Sequence, residues 1–133
     1  NDQVRVEIWG TGKPMREFMY SEDMAAACVF MMENVDIKQI NGFTPEPIDP
    51  KDPRMTHFVN IGTGKEISIK SLAVKIKETL GYKGEIYFNT EKPDGTMRKL
   101  TNVGLLNGLG YKHTIELTQG IDLMYNAYLS KQT

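Results

Sequence analysis

Val6 and Ile8 alternate with Arg5, Glu7 and a lone Trp9, and Val4 extends the pattern backwards. Period-two alternation predicts a half-buried strand over 4–9. Gly10-Thr11-Gly12-Lys13-Pro14 ends it, and 16–20 reads as a second short strand. Ser21 is the expected N-cap of a helix over 22–33, with Glu22 and Asp23 suited to its positive end. Met24, Ala27, Cys28 and Met31 recur at helical spacing and form its expected inward face. Gly42, Pro45, Pro47, Pro50 and Pro53 then mark 36–56 as a long, exposed, flexible loop. His57 opens an expected third strand over 57–61, and Gly62-Thr63-Gly64 turns the chain. Ser68 is placed to cap a helix over 69–80, with Ile69, Leu72, Ala73, Ile76 and Leu80 on one face and Gly81 as its stop. A fourth strand is expected over 85–89, a turn at Lys92-Pro93-Asp94-Gly95, and a short helix over 102–108. Thr114 is the expected cap of a final helix over 115–130, with Leu117, Ile121, Met124, Tyr128 and Leu129 inward.

The order is strand, strand, helix, strand, helix, strand, helix, helix. That predicts a small α/β domain with a mixed sheet, a single unit over 1–133. A chain of 133 residues suits one domain. The eight methionines fall mostly on helix faces and in loops, where they fill gaps in packing. Lys plus Arg number 16 against 17 Asp plus Glu, for a net charge of −1. The charge excess that lets a protein displace counterions from nucleic acid is missing, so no nucleic-acid partner is expected. No apolar run reaches the roughly 20 residues of a membrane-spanning helix, so no membrane partner is expected either. One cysteine, Cys28, forms no internal disulfide, and a reducing, cytoplasmic compartment is expected. Asn1-Asp2-Gln3 runs straight into a strand with no signal-peptide pattern, which reads as a piece of a longer chain.

Some motifs suggest chemistry that their context denies. Gly-Thr-Gly-Lys occurs at 10–13 and again at 62–65, each time after an expected strand. A phosphate loop needs G-x-x-x-x-G-K-[ST], and here Pro14 and Glu66 follow the lysines. Gly104, Gly108 and Gly110 have a spacing seen in dinucleotide-binding loops, but no buried strand precedes them and no long helix follows. His57, His113 and Cys28 lie too far apart in sequence for the spacing of a zinc site, so no metal is expected. The chain holds no G-x-S-x-G nucleophile elbow and no Tyr-x-x-x-Lys pair.

Two segments carry more than a fold requires. In Trp9-Gly10-Thr11-Gly12-Lys13-Pro14-Met15-Arg16, a ring that can cover a ligand precedes a glycine turn and a guanidinium that can fork two phosphate oxygens. In Lys92-Pro93-Asp94-Gly95-Thr96-Met97-Arg98-Lys99, a rigid turn offers a carboxylate to ribose or guanine donors and two cations to phosphate. The plain alternatives are a core Trp9, an Arg16 paired with Glu17 or Asp23, and a mobile, solvated turn at Asp94.

The stretch Gly10-x-Gly12-x-x-x-Arg16-Glu17-Phe18-Met19-Tyr20-x-x-Asp23-Met24-Ala25 resembles the G-x-G-x-x-x-R-[DE]-F-[IV]-[YH]-V-x-D-[MV]-A motif of extended short-chain dehydrogenases/reductases that act on nucleotide sugars. Ser21 stands where that family often has Val. Asn60-Ile61-Gly62-x-Gly64, then Ile67-Ser68-Ile69 and a helix, is similar to the family's next block. Trp9, Pro14 and Lys92-Pro93-Asp94-Gly95-x-x-x-Lys99 are similar to its GDP-sugar epimerase-reductases.

The resemblance, from about 4 to 129, implies a two-part protein. An N-terminal Rossmann portion binds NADPH and carries a Ser and Tyr-x-x-x-Lys triad, and a smaller C-terminal portion grips the nucleotide sugar. This chain resembles the second portion, so catalytic and cofactor-binding residues are expected elsewhere. The implied activity epimerises C3 and C5 of a GDP-4-keto-6-deoxyhexose and reduces C4. The matching positions imply Arg16 on the diphosphate, Trp9 against nucleotide or sugar, Lys99 near phosphate, and Asp94 on ribose or guanine. A homodimer is expected of the whole enzyme and a monomer of this portion. A different nucleotide-sugar epimerase or dehydratase, or a stand-alone binding module, remains open.

Overall fold

The structure, a computed structural model, describes residues 5–42 and 58–131. The expectations at Val4 and His57, and those for 43–56, lie outside the described residues. Strand β1 (Arg5–Trp9) pairs in parallel with β4 (Glu85–Asn89), from Arg5 opposite Glu85 to Trp9 opposite Asn89. A second sheet has the order β3-β2-β5. Its central strand β2 (Met15–Glu17) runs antiparallel to β3 (Glu66–Ser68) and parallel to β5 (Arg98–Lys99). The strands expected in one mixed sheet are therefore divided between two small ones, a parallel pair and a mixed sheet of three.

Helix α1 (Ser21–Asn34) follows β2, α2 (Ile37–Gly42) follows α1, and α3 (Ile69–Thr79) follows β3 without a break. Two more, α4 (Gly104–Gly108) and α5 (Leu117–Ser130), complete the described chain. Ser68 caps α3 as its sequence predicts, its hydroxyl accepting the Ser71 N–H at 3.0 Å. Gly81 follows that helix with φ +62°, a conformation that a Cβ disfavours. Pro14 and Gly12 carbonyls accept the N–H groups of Ile69 and Lys70, tying the start of α3 to the turn after β1.

Several expectations need correction. The second strand stops at Glu17, not at 20, because its partners β3 and β5 are only three and two residues long. Residues 58–61 form no strand; the pairing falls instead to Glu66–Ser68. Helix α2 occupies the start of the stretch read as loop. Ser21 lies inside α1, and its N-cap position is Tyr20, with no side-chain cap bond. Thr114 does not cap α5, whose N-cap position is Glu116; Thr114 bonds to Asp23 instead.

Among the described residues Ala27, Val103 and Leu106 form the buried hydrophobic core, and Asp23 is buried as well. On α1, Met24 and Cys28 are exposed, contrary to the expected inward face. On α5, Met124, Tyr128 and Leu129 are exposed as well, and only the first turns of that helix are covered. The two helix faces that periodicity marks as inward are therefore largely uncovered among the described residues.

Candidate functional site

The ends of β1 and β4 lie side by side, and so do the starts of β2 and β5. Between them the chain makes two turns, 10–14 and 90–97, which face each other. Gly10 N–H donates to the Asn89 carbonyl at one end of this gap, and Met15 N–H to the Met97 carbonyl at the other. In the middle, Asp94 bridges the turns: Thr11 N–H donates to Oδ1 at 2.8 Å and the Thr11 hydroxyl to Oδ2 at 2.6 Å. Gly10 makes room for that carboxylate, since a Cβ there would collide with it, and its φ of +86° suits glycine. The Thr11 hydroxyl bond and then its N–H bond hold the Asp94 carboxyl below its ordinary value, with help from the Lys13 charge.

The second Gly-Thr-Gly-Lys turn repeats the arrangement with a different acid. Thr63 N–H and Gly64 N–H both donate to Glu17 Oε1, at 2.5 and 2.6 Å, and the Thr63 hydroxyl adds a third bond at 3.1 Å. Thr101 N–H donates to Glu17 Oε2 at 3.0 Å. Burial alone would raise the Glu17 carboxyl; the bonds from Thr101, Gly64 and Thr63 outweigh it and lower it. Each turn thus aims backbone N–H at an anion, one such group in the first turn and two in the second, the property that makes such turns resemble phosphate loops. In both the anion is a carboxylate of this same chain.

Trp9 is 70% exposed at the end of β1, so the reading of a core Trp is excluded. The Lys92 ammonium lies 5.4 Å from its ring centroid, within reach of the π face. Arg16 is half-buried on β2, opposite Lys99. One of its nitrogens, Nη1, donates to the Met15 carbonyl at 2.6 Å, and Nη2 faces Gly95, 3.4 Å from where a Cβ would stand. Among the described residues no carboxylate is paired with Arg16, Lys92 or Lys99, whereas Arg98 is held by both oxygens of Glu66. Glu17 and Asp23, the partners suggested for Arg16, are occupied by backbone N–H groups.

The fold therefore brings Trp9, Arg16, Asp94 and Lys99 to one edge, on two segments that are far apart in sequence. Three of the four offer an exposed ring or unpaired charge; Asp94 spends one bond per oxygen on Thr11. Sequence reasoning missed Thr11 and Lys92 as members of this edge. The repeated Gly-Thr-Gly-Lys was the signal for Thr11, read only for phosphate. His113 lies elsewhere, its Nε2 3.5 Å from Glu116. No group of metal-binding side chains occurs among the described residues. Gly104 and Gly108 do not form a dinucleotide-binding loop: they bound the five-residue α4 instead of opening a long helix after a strand. No helix among the described residues is long and apolar enough to cross a membrane.

Residues 1–42 match the model of the NAD dependent epimerase/dehydratase family. Over 127 residues, 96% of this chain, the sequence is 39% identical to the GDP-L-fucose synthase of Escherichia coli, of which the match covers 37%. It is 36% identical over 129 residues to GDP-L-fucose synthase 1 of Arabidopsis thaliana, covering 97% of this chain and 34% of that protein. The fold is similar to a GDP-mannoheptose C4 reductase from Campylobacter jejuni with NADP bound, with a TM-score of 0.78 and 38% identity over 96% of this chain and 35% of that one. The chain spans about a third of the length of these relatives. By sequence, residues 1–42 are similar to the NAD dependent epimerase/dehydratase family, and almost the whole chain is similar to about a third of a GDP-L-fucose synthase.

Proposed function

We propose that the chain is the substrate-gripping portion of an NADPH-dependent GDP-sugar epimerase-reductase of the GDP-L-fucose synthase kind. The observation that carries the reading is the pairing of β2 with β5, which sets Arg16 and Lys99 opposite each other, both without a carboxylate partner among the described residues, while Trp9 is exposed at the end of β1. A guanidinium and an ammonium without carboxylate partners suit a diphosphate, and an exposed indole suits a base or a sugar face. In this reading Arg16 forks the diphosphate, Lys99 adds charge beside it, and Trp9 covers the nucleotide or sugar. Asp94 keeps lone pairs free for a ribose hydroxyl or a guanine N–H while it holds Thr11. These contacts bind and orient; they move no proton and no hydride.

The whole protein's reaction would convert GDP-4-keto-6-deoxy-D-mannose to GDP-L-fucose. A proton would leave C3 and C5 in turn beside the ketone and return on the opposite face, and the C4 carbonyl would then take a hydride at carbon and a proton at oxygen, NADPH supplying the hydride. The acid–base groups and the cofactor would belong to the portion of such an enzyme that this chain does not match, so the chain alone would turn over no substrate. A cytoplasmic location fits the single, exposed Cys28. The whole enzyme would act as a homodimer, and this chain alone as a monomer.

A calorimetric titration of the chain with GDP, UDP and dTDP tests the reading. GDP is expected to bind and the two pyrimidine nucleotides to give no heat. A preference for UDP or dTDP would overturn the assignment to GDP-sugars and favour another nucleotide-sugar epimerase or dehydratase.

A further inference from the structure

The proposed ligand contacts come from two segments whose backbones separate between the sheets. The parallel β1–β4 ladder ends where Trp9 lies opposite Asn89, and the β2–β5 ladder begins where Met15 lies opposite Arg98. Trp9 and Lys92 sit at the first boundary, Arg16 and Lys99 at the second. Across the gap, Asp94 takes both the N–H and the hydroxyl of Thr11, residues 83 apart in sequence. Gly10 is shaped to receive that carboxylate, because any side chain there would displace it. The Lys13 N–H also donates to the Thr11 hydroxyl at 3.2 Å, so the same oxygen draws in the far side of the turn.

We propose that Thr11 and Asp94 form a positioning pair, which fixes Trp9 relative to Arg16 and so sets the affinity of the nucleotide-diphosphate site without touching the reacting atoms. The inference rests on the proposed GDP-sugar reading for its ligand, but not for its geometry. The other Gly-Thr-Gly-Lys turn holds Glu17 with its own threonine N–H and hydroxyl, and with the Gly64 N–H besides, at a place where no ligand contact is proposed. The device is thus a turn that grips a carboxylate, and only the first copy lies at the candidate site.

Trp9 is the single tryptophan, so intrinsic fluorescence reports on it alone. The test compares Thr11→Val, Thr11→Ser and Asp94→Ala with the parent chain, each checked for folding by circular dichroism. Trp9 anisotropy is measured first, without ligand, and then GDP affinity. Thr11→Val and Asp94→Ala are expected to lower the anisotropy and weaken GDP binding about tenfold, the scale of a hydrogen bond to a charged group. Thr11→Ser keeps the hydroxyl and is expected to behave as the parent. Anisotropy unchanged in folded Thr11→Val and Asp94→Ala would overturn the positioning role, whatever binds. Lower anisotropy with GDP affinity unchanged would also overturn it, because Trp9 would then have moved without consequence for the site. If the parent binds UDP and not GDP, the GDP reading fails, and the same variants weakening UDP binding would still support the pair.

Discussion

Asp23 is only 5% exposed, yet it carries a charge, and the residues around it explain why. Burial alone would raise its carboxyl. Bonds from Ile115 N–H and from the Thr114 hydroxyl and N–H, with the His113 charge behind them, outweigh burial and lower it. The Tyr111 hydroxyl also donates to the Asp23 carbonyl at 2.6 Å, so this one residue ties α1 to the segment that leads into α5. A carboxyl lowered in the folded chain stabilises it above the unfolded value of about 4, and loses that contribution as pH falls below it. Asp23→Ala is therefore expected to cost about 2 kcal/mol at neutral pH in urea unfolding, and its deficit should shrink in acid below pH of about 4. A cost that is the same at both pH values would assign Asp23 to packing alone. Sequence patterning identified Asp23 as a first-turn acid and a motif position, with Arg16 as one suggested partner, but not its actual donors, because Thr114 and Ile115 lie about ninety residues later. Trp9, Arg16, Asp94 and Lys99 were legible as candidates because their residue types suit a phosphate, a ring or a sugar and because their positions match the motifs of the family the sequence resembles. Their actual partners were not, since a hydrogen bond between Thr11 and Asp94 leaves no local pattern.

Local rules succeed among the elements where a helix or strand carries its own signals. Strand β4 falls at 85–89 as its alternation predicts, and α3 begins after the Ser68 cap and ends near Gly81. Ser68→Ala is expected to cost about 1 kcal/mol, read from the shift of the denaturation midpoint, through loss of the Ser71 N–H acceptor. An unchanged midpoint would mean that the bonds from Ile69 and Lys70 to the turn after β1 already hold the helix start. Strands β3 and β5 escaped notice because three and two residues show no period; long-range pairing with β2 alone defines them. Thr114 has the chemistry of a cap, but Asp23 competes for it and wins with a charged acceptor. Periodicity grouped the apolar residues of α1 and α5 by face but misjudged their burial: on α1 Ala27 is buried while Met24 and Cys28 are exposed, and on α5 Met124, Tyr128 and Leu129 are exposed. It measures which residues share a face, not whether anything covers that face.

At the scale of the whole molecule, helices α1 and α5 leave large apolar side chains exposed. Met32 is 77% exposed, Met124 61% and Tyr128 58%. A groove of about 720 Å³ runs between the start of α1, α3 and α5, lined by Tyr20, Leu72, Ile76, Ile121 and Met124 among others. Met32→Lys is expected to change stability by less than about 0.5 kcal/mol, because the side chain has little contact to lose, and to lower light scattering from concentrated samples. A large loss of stability would show that Met32 is covered in the chain in solution. The candidate site lies apart from this groove, on the edge where the two small sheets meet, and its ties are backbone ladders together with the Thr11–Asp94 pair. The central claim is that this edge recognises a guanosine diphosphate through Arg16. It is tested most directly by calorimetric titration of the parent chain and of Arg16→Ala with GDP under the same salt. The account predicts that GDP binds the parent and that the substitution abolishes the heat of binding while circular dichroism stays unchanged. GDP bound equally well by a folded Arg16→Ala would contradict it.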